Sequence, residues 1–221
     1  MKSLELKNFS KHFFSITNGT SVLFHNQNIR FEEGKNIGLM GVNGCGKTTL
    51  LRILSRSESI SSGEFSVNGT ISWPIGVYAG LDPFLTGRQN VLFIASLLGI
   101  NEKDDLAERV ASLAELRDSM DLHVRFYSSG MFSRLSFFLC MLINFDFYLI
   151  DEVTSVGDAG FQKKSSELLS EVSERSTIIL TSHNADNIRQ HCELAYVIVK
   201  GKISHLMDVN EAIDYYHKTL E

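Results

Sequence analysis

Gly41-Val42-Asn43-Gly44-Cys45-Gly46-Lys47-Thr48 decides the fold. The octet fits the pattern G-x-x-x-x-G-K-[ST], whose glycines let successive backbone N–H groups turn inward on a polyphosphate, while the N-terminus of the following helix adds favourable potential. Its flanks agree with that reading. Asn36 to Met40 reads as a short buried strand, and Thr49 to Ser55, with Leu50, Leu51, Ile53 and Leu54, reads as the first turns of a helix. Strand, glycine loop and helix in this order predict an α/β P-loop fold. Lys47 is placed to reach the β- and γ-phosphates of a nucleoside triphosphate, and the Thr48 hydroxyl to coordinate Mg²⁺. The plainer alternative is a glycine-rich turn before an ordinary helix.

Working outward, Leu4 to Phe9 and Val22 to Phe31 alternate apolar and polar residues and predict an antiparallel β edge at the N-terminus. From about Phe84 to Asn144 the pattern becomes helical, over Asn90 to Leu98, Leu106 to Met120 and Ser129 to Ile143. Short apolar runs then return at Phe147 to Ile150, Thr177 to Leu180 and Tyr196 to Val199, with the helical stretch Phe161 to Glu174 between the first two. This is the βαβ rhythm of a parallel sheet. The expectation is one ATP-binding domain over 1–221, with a mixed, mainly parallel core from 1–83 and 145–221 and a helical subdomain inserted at about 84–144.

Composition narrows the partners. The chain has 221 residues, 43% of them hydrophobic, enough to bury a core, and a formal net charge of −5. A net negative charge provides no broad positive field for counterion release, which argues against a nucleic-acid partner. Cys45, Cys140 and Cys192 are odd in number and far apart, as expected of reduced thiols rather than a disulfide framework. Lys2, Glu5 and Lys7 interrupt the N-terminal leucines, so no secretory signal is expected there. The longest apolar run, Phe137 to Ile143, is far short of the roughly 20 residues that span a bilayer, so in any transport role another subunit must form the pore.

A second group of residues carries hydrolytic chemistry. Phe147-Tyr148-Leu149-Ile150-Asp151-Glu152 is an apolar strand ending in two carboxylates, at the end of a parallel sheet where ligands bind. Asp151 suits Mg²⁺, and Glu152 suits the water that attacks the γ-phosphate. Taken alone, such a pair is more often a solvated helix cap, and the neighbouring P-loop reverses that preference. His183 follows Ile178 to Ser182, again just past a strand, which would bring an imidazole to the γ-phosphate. Cys45, inside the loop and beside a helix N-terminus, is expected to lean toward thiolate, so that alkylation there blocks nucleotide binding.

With these residues assembled, the chain resembles an ABC-transporter nucleotide-binding domain over nearly its whole length. Tyr127-Ser128-Ser129-Gly130-Met131 occupies the place of that family's signature loop, Ser155-Val156-Gly157-Asp158 resembles its D-loop, and His183 its switch histidine. The resemblance implies that Gly41 to Thr49 bind ATP, that Ser128, Ser129, Gly130 and Asp158 act across a homodimer with ATP at its interface, and that an integral membrane permease is the partner. It places Phe13 where relatives stack an aromatic ring on adenine, although beside Phe9 and Phe14 the residue reads equally as core packing. Within the family, Ile71-Ser72-Trp73-Pro74, Leu85-Thr86-Gly87 and Ile150-Asp151-Glu152-Val153-Thr154 are similar to the ATP-binding subunits of Gram-negative capsular-polysaccharide exporters. That implies an ATPase, peripheral on the cytoplasmic face of the inner membrane, touching no sugar itself. O-antigen, teichoic acid or another lipid-linked substrate is the alternative, and a soluble ABC ATPase acting on ribosomes or DNA is a third reading.

One departure stands out. The family carries a Gln between the P-loop and the helical insert, but no Gln occurs here between Gln27 and Gln89, and Asp82 takes its place. An Asp could approach Mg²⁺ with shorter reach and an added negative charge. Nearby Trp73, Ile75, Tyr78 and Phe84 form either an apolar groove for a helix of the membrane subunit or packing between subdomains.

Overall fold

A computed structural model describes the chain apart from residues 16, 18, 76–79, 152–158, 183 and 221. The chain folds as two compact units, Met1–Pro74 with Phe145–Glu152 and Arg175–Glu221, and Ile75–Asn144 with Val153–Glu174.

In the first unit, β1 (Ser3–Ser15) pairs antiparallel with β2 (Gly19–Glu32) and β4 (Ser62–Asn68), giving a sheet of order β2-β1-β4. These strands are longer than the alternation in the sequence suggests. Asn8 and Asn26 interrupt the period of two with φ near +48° and +49°, and the register shifts between Leu6 and Phe9 absorb the extra residues as bulges. The alternation then resumes, and Ile29 and Phe31 are buried while Arg30 and Glu32 face out.

The second sheet of this unit holds β3 (Ile37–Met40), β5 (Phe147–Asp151), β6 (Thr177–Ser182) and β7 (Leu194–Val199) as parallel neighbours in the order β5-β6-β3-β7. The short strands β8 (Lys202–Ile203) and β9 (Met207–Asp208) pair antiparallel with β7. Every residue of β3 and β6 is buried, as continuous apolar runs covered on both faces require. The helix α1 (Lys47–Leu54) buries Leu50, Leu51, Ile53 and Leu54 in a core shared with Leu4, Phe9 and Phe31 of the first sheet and Leu39 and Ile198 of the second. A further helix, Ala185–His191, lies close to β3, where a Cβ on Gly38 would come within 2.6 Å of Ile188.

In the second unit, α2 (Gly87–Leu97) begins with a reciprocal capping box between Thr86 and Gln89. It is followed by α3 (Lys103–Leu113), 3₁₀ turns at Arg117–Ser119 and Val124–Phe126, and α4 (Ser129–Leu142). Phe137 and Phe138 of α4 meet Phe161 edge-on at centroid distances of 5.7 Å, which explains why most of α5 (Ala159–Arg175) groups with this unit. Glu115 takes ion pairs from both Arg134 (2.9 Å) and Lys164 (2.6 Å), which hold its carboxyl below the usual carboxylate range. Back in the first unit, where Ala185–His191 is α6, the last helix is α7 (Val209–Lys218), started by Asp208, whose carboxylate accepts from the Asn210 N–H.

Candidate nucleotide site

Where β3 ends at Met40, the chain has to turn sharply and still aim its amide groups outward, and glycine is what permits it. A Cβ on Gly41 would lie 2.5 Å from Cys45 Sγ and 2.6 Å from the Ile198 carbonyl oxygen. Gly46 is the N-cap of α1 at φ +113°, and a Cβ there would lie 2.6 Å from Phe24 Cζ. Gly46 offers this helix no side-chain cap and its first turn holds no acid, an arrangement suited to receiving an anion at the positive end of the helix. Val42, Asn43 and Gly44 are exposed at the crest of the loop, and Thr49 is half-buried at the start of the helix.

Lys47 is only 7% exposed, and its ammonium donates to the carbonyl oxygens of Gly41 (2.6 Å) and Val42 (3.3 Å). The charge therefore arches back across the loop instead of extending into solvent, which is the side a bound triphosphate must face. The Thr48 hydroxyl donates to Asp151 Oδ2 at 2.8 Å, joining the start of α1 to the end of β5. Asp151 stands in register with Thr181 of β6, and the fully buried Thr181 hydroxyl donates to its other oxygen, Oδ1. Thr181 is a member of the site that the sequence reading missed. Its signal was the parallel register of the Thr177 run against the Phe147 run, which pattern alone does not align.

Thr48 and Asp151 form a hard-oxygen pair of the kind Mg²⁺ takes beside substrate phosphates. Among the described residues, no cluster of three or more His, Cys, Asp or Glu side chains could hold a metal. A P-loop site needs no such cluster, because Mg²⁺ there would be held by one or two protein oxygens together with substrate phosphate. Glu152, His183 and Asp158 lie outside the described residues, as does Tyr78.

The expectation for Cys45 is corrected. The thiol is buried, and burial pushes its pKa up, outweighing the nearby Lys47 charge and the backbone N–H groups that pull it down. Because the pKa is raised, thiolate forms at higher pH than in an exposed cysteine. Maleimide labelling of Cys45 is thus expected to be slow near pH 7, to rise continuously through pH 9, and to be slowed further by nucleotide. Rapid labelling at neutral pH, followed by peptide mass, would contradict this.

Elsewhere in the first unit, Phe13 is 42% exposed, not core, and Lys11 Nζ lies 4.7 Å from its ring centroid. Trp73 packs edge-on against Phe145 at 5.7 Å, within the first unit. In the second unit, Ile75 is buried and Phe84 is 65% exposed. Asp82 makes a local turn there: its carboxylate accepts from the Phe84 N–H at 2.8 Å, while buried Asn90 bonds both its N–H (2.7 Å) and its carbonyl (3.0 Å). Ser128 is the N-cap of α4, accepting from the Met131 N–H at 3.2 Å, and Ser128, Ser129 and Gly130 are all exposed. Tyr127 anchors this loop by donating to the Ser119 carbonyl at 2.8 Å.

A parallel sheet whose β3 runs through a glycine loop into a helix, with an aspartate from β5, one strand beyond the adjacent β6, on the loop's threonine, defines a P-loop nucleotide-binding protein. The ABC transporter family matches residues 24–155. The chain is 41% identical over 221 residues to the polysialic acid transport ATP-binding protein KpsT of Escherichia coli, covering 98% of this chain and 100% of that one. It is 34% identical over 214 residues to the capsule polysaccharide export ATP-binding protein CtrD of Neisseria meningitidis serogroup B, covering 97% and 98%. Among solved structures, an ATP-binding subunit of an ABC transporter superposes with a TM-score of 0.83 at 18% identity over 98% of both chains. A dimeric ATP-binding cassette in a post-hydrolysis state bound to ADP and Pi superposes with a TM-score of 0.78 at 20% identity, over 93% of this chain and 98% of that one. The chain belongs to the ABC transporter family, as its ATPase domain. No helix among the described residues is long and apolar enough to cross a membrane.

Proposed function

We propose that this chain is the ATP-binding, ATP-hydrolysing subunit of an exporter of capsular polysaccharide, working as a homodimer against an integral membrane permease on the cytoplasmic face of the inner membrane. The observation that carries the substrate class is the end-to-end likeness to polysialic acid and capsule export ATP-binding proteins. The family and the loop geometry support the chemistry.

In this reading the amides of Gly41 to Thr49 cradle the phosphates, and Lys47 releases its loop carbonyls to reach the β- and γ-oxygens. Thr48 and Asp151 would hold Mg²⁺, which would supply positive charge to offset the negative charge that develops on the phosphates. Glu152 orients or deprotonates the attacking water, and His183 contacts the γ-phosphate. Phe13 stacks on the adenine. Ser128, Ser129 and Gly130 present the uncrowded N-terminus of α4 to the γ-phosphate held by the other protomer, with Asp158 at the same interface. Asp82 stands where relatives use a glutamine, and its turn with Phe84 and Asn90 gives that loop a stiff local frame. Phe84 and the exposed apolar side chains of α2, Phe93 (51%) and Leu97 (69%), are surface that a short helix of the membrane subunit would cover. No sugar contact and no nucleic-acid contact is assigned to this chain.

The test is physiological. A strain whose only copy carries Lys47→Ala is expected to synthesise polymer normally but to retain it in the cytoplasm, because Lys47 acts on phosphate and not on sugar. Normal surface capsule in that strain would overturn the export reading.

A further inference from the structure

Lys11 is a charged side chain of β1 that is only 5% exposed. Its ammonium donates to Glu58 Oε1 at 2.5 Å and to the Ser59 carbonyl at 2.8 Å, and it lies 4.7 Å from the centroid of the Phe13 ring. A buried ammonium persists only where its charge and donors are matched. Here two oxygens and one aromatic face do the matching. Glu58 and Ser59 belong to the segment that leaves α1, and the same segment is fastened to β1 by Ser61 N–H donating to the Ser10 carbonyl (2.8 Å) and His12 N–H donating to Ser61 Oγ (2.9 Å).

The register fixes where this happens. Lys11 pairs with Phe24 across β1 and β2, and Phe24 is the ring that a Cβ on Gly46 would strike. Phe13 is two residues farther along β1, roughly 7 Å at strand rise, and remains 42% exposed. The exposed ring thus stands on a strand that pairs with Phe24, the ring packed against Gly46, and that is tied through Lys11 to the chain leaving the phosphate helix.

We propose that Lys11 is a positioning residue for the nucleotide base: its ammonium holds and polarises one face of the Phe13 ring, so that adenine can stack on the part of the ring left exposed. The proposal rests on the reading of Phe13 as the adenine platform. Without the cation, an exposed Phe near a hairpin end would sample rotamers freely, and a base would have to order it on binding.

The experiment measures binding of ATP and of inorganic triphosphate, which has no base, to the full chain by calorimetry. A cation–π contact of about 1 kcal/mol corresponds to roughly a fivefold change in affinity. Lys11→Met is expected to weaken ATP by about that factor and to leave inorganic triphosphate unchanged. Lys11→Arg should retain most ATP affinity, because a guanidinium can still cover the ring. In a Phe13→Ala background, Lys11→Met should cost nothing further, since the two act as one unit. If Lys11→Met weakens both ligands equally, or weakens ATP as much without Phe13 as with it, Lys11 acts on the fold and the proposal fails. If Phe13→Ala weakens ATP while Lys11→Met does not, the proposal fails and the stacking reading stands. If Phe13→Ala binds ATP as the parent does, both fall together.

Discussion

Glu152→Gln is expected to bind ATP and Mg²⁺ as the parent does while releasing phosphate at least roughly 10²-fold more slowly. The substitution keeps the size of the side chain and one acceptor oxygen and removes its basicity, which is the property a water-activating group contributes to the transition state. A second consequence follows from mass action. In the proposed homodimer, ATP that is held but not cleaved would bridge Lys47 of one protomer and Ser128 of the other, and so would stabilise association by linkage, by RT ln(1 + [L]/Kd). The variant should therefore run as a dimer with ATP and Mg²⁺ and as a monomer with ADP, read by light scattering beside steady-state phosphate release. Hydrolysis at the parental rate would remove Glu152 from the mechanism. Loss of hydrolysis without ATP-dependent dimerisation would remove the shared-nucleotide interface while leaving the role of Glu152 intact.

Much of the fold was legible because its strongest signals are local. The octet at Gly41 combines left-handed or crowded glycine positions with a lysine and a threonine at fixed offsets, and each of those demands is set within a few residues. The buried parallel strands were legible for the same reason, as short apolar runs bounded by polar residues. What escaped the sequence was nonlocal or short. The strand Ser62–Asn68 has only Phe65 and Val67 turned toward the core, too few for a period to register. The helix Ala185–His191 buries Ile188 alone, so it carries almost no amphipathic stripe. Thr181 enters the site only through the pairing of β5 with β6, and Lys11 is matched only by Glu58 and Ser59, more than forty residues away. Cys45 was misjudged because the potential at a helix N-terminus can be read from sequence, whereas desolvation depends on what covers the sulfur.

The expected result for Asp151→Asn separates a metal ligand from a structural brace. Asp151 accepts hydroxyls from Thr48 and Thr181, one on each oxygen, so the carboxylate ties together α1, β5 and β6. An asparagine offers one acceptor and one NH₂ donor, and a threonine hydroxyl can either donate or accept, so both contacts can be rebuilt by rotating one hydroxyl. The structural loss should be modest, about 1 kcal/mol or a few degrees in Tm. The loss at the metal should be much larger, because the neutral amide removes the only described carboxylate beside Thr48, and Mg²⁺ strongly prefers anionic oxygen. The ratio of ATP affinities measured with Mg²⁺ and with EDTA should thus fall toward one in Asp151→Asn, with hydrolysis reduced by roughly 10² or more. Thr181→Val supplies the contrast. It deletes one of the two hydroxyls but leaves the negative charge in place, so it should cost stability and keep the Mg²⁺ dependence. If Asp151→Asn retains the parental Mg²⁺ ratio and differs only in Tm, as Thr181→Val is expected to do, Asp151 is a brace between strands and the metal is held elsewhere.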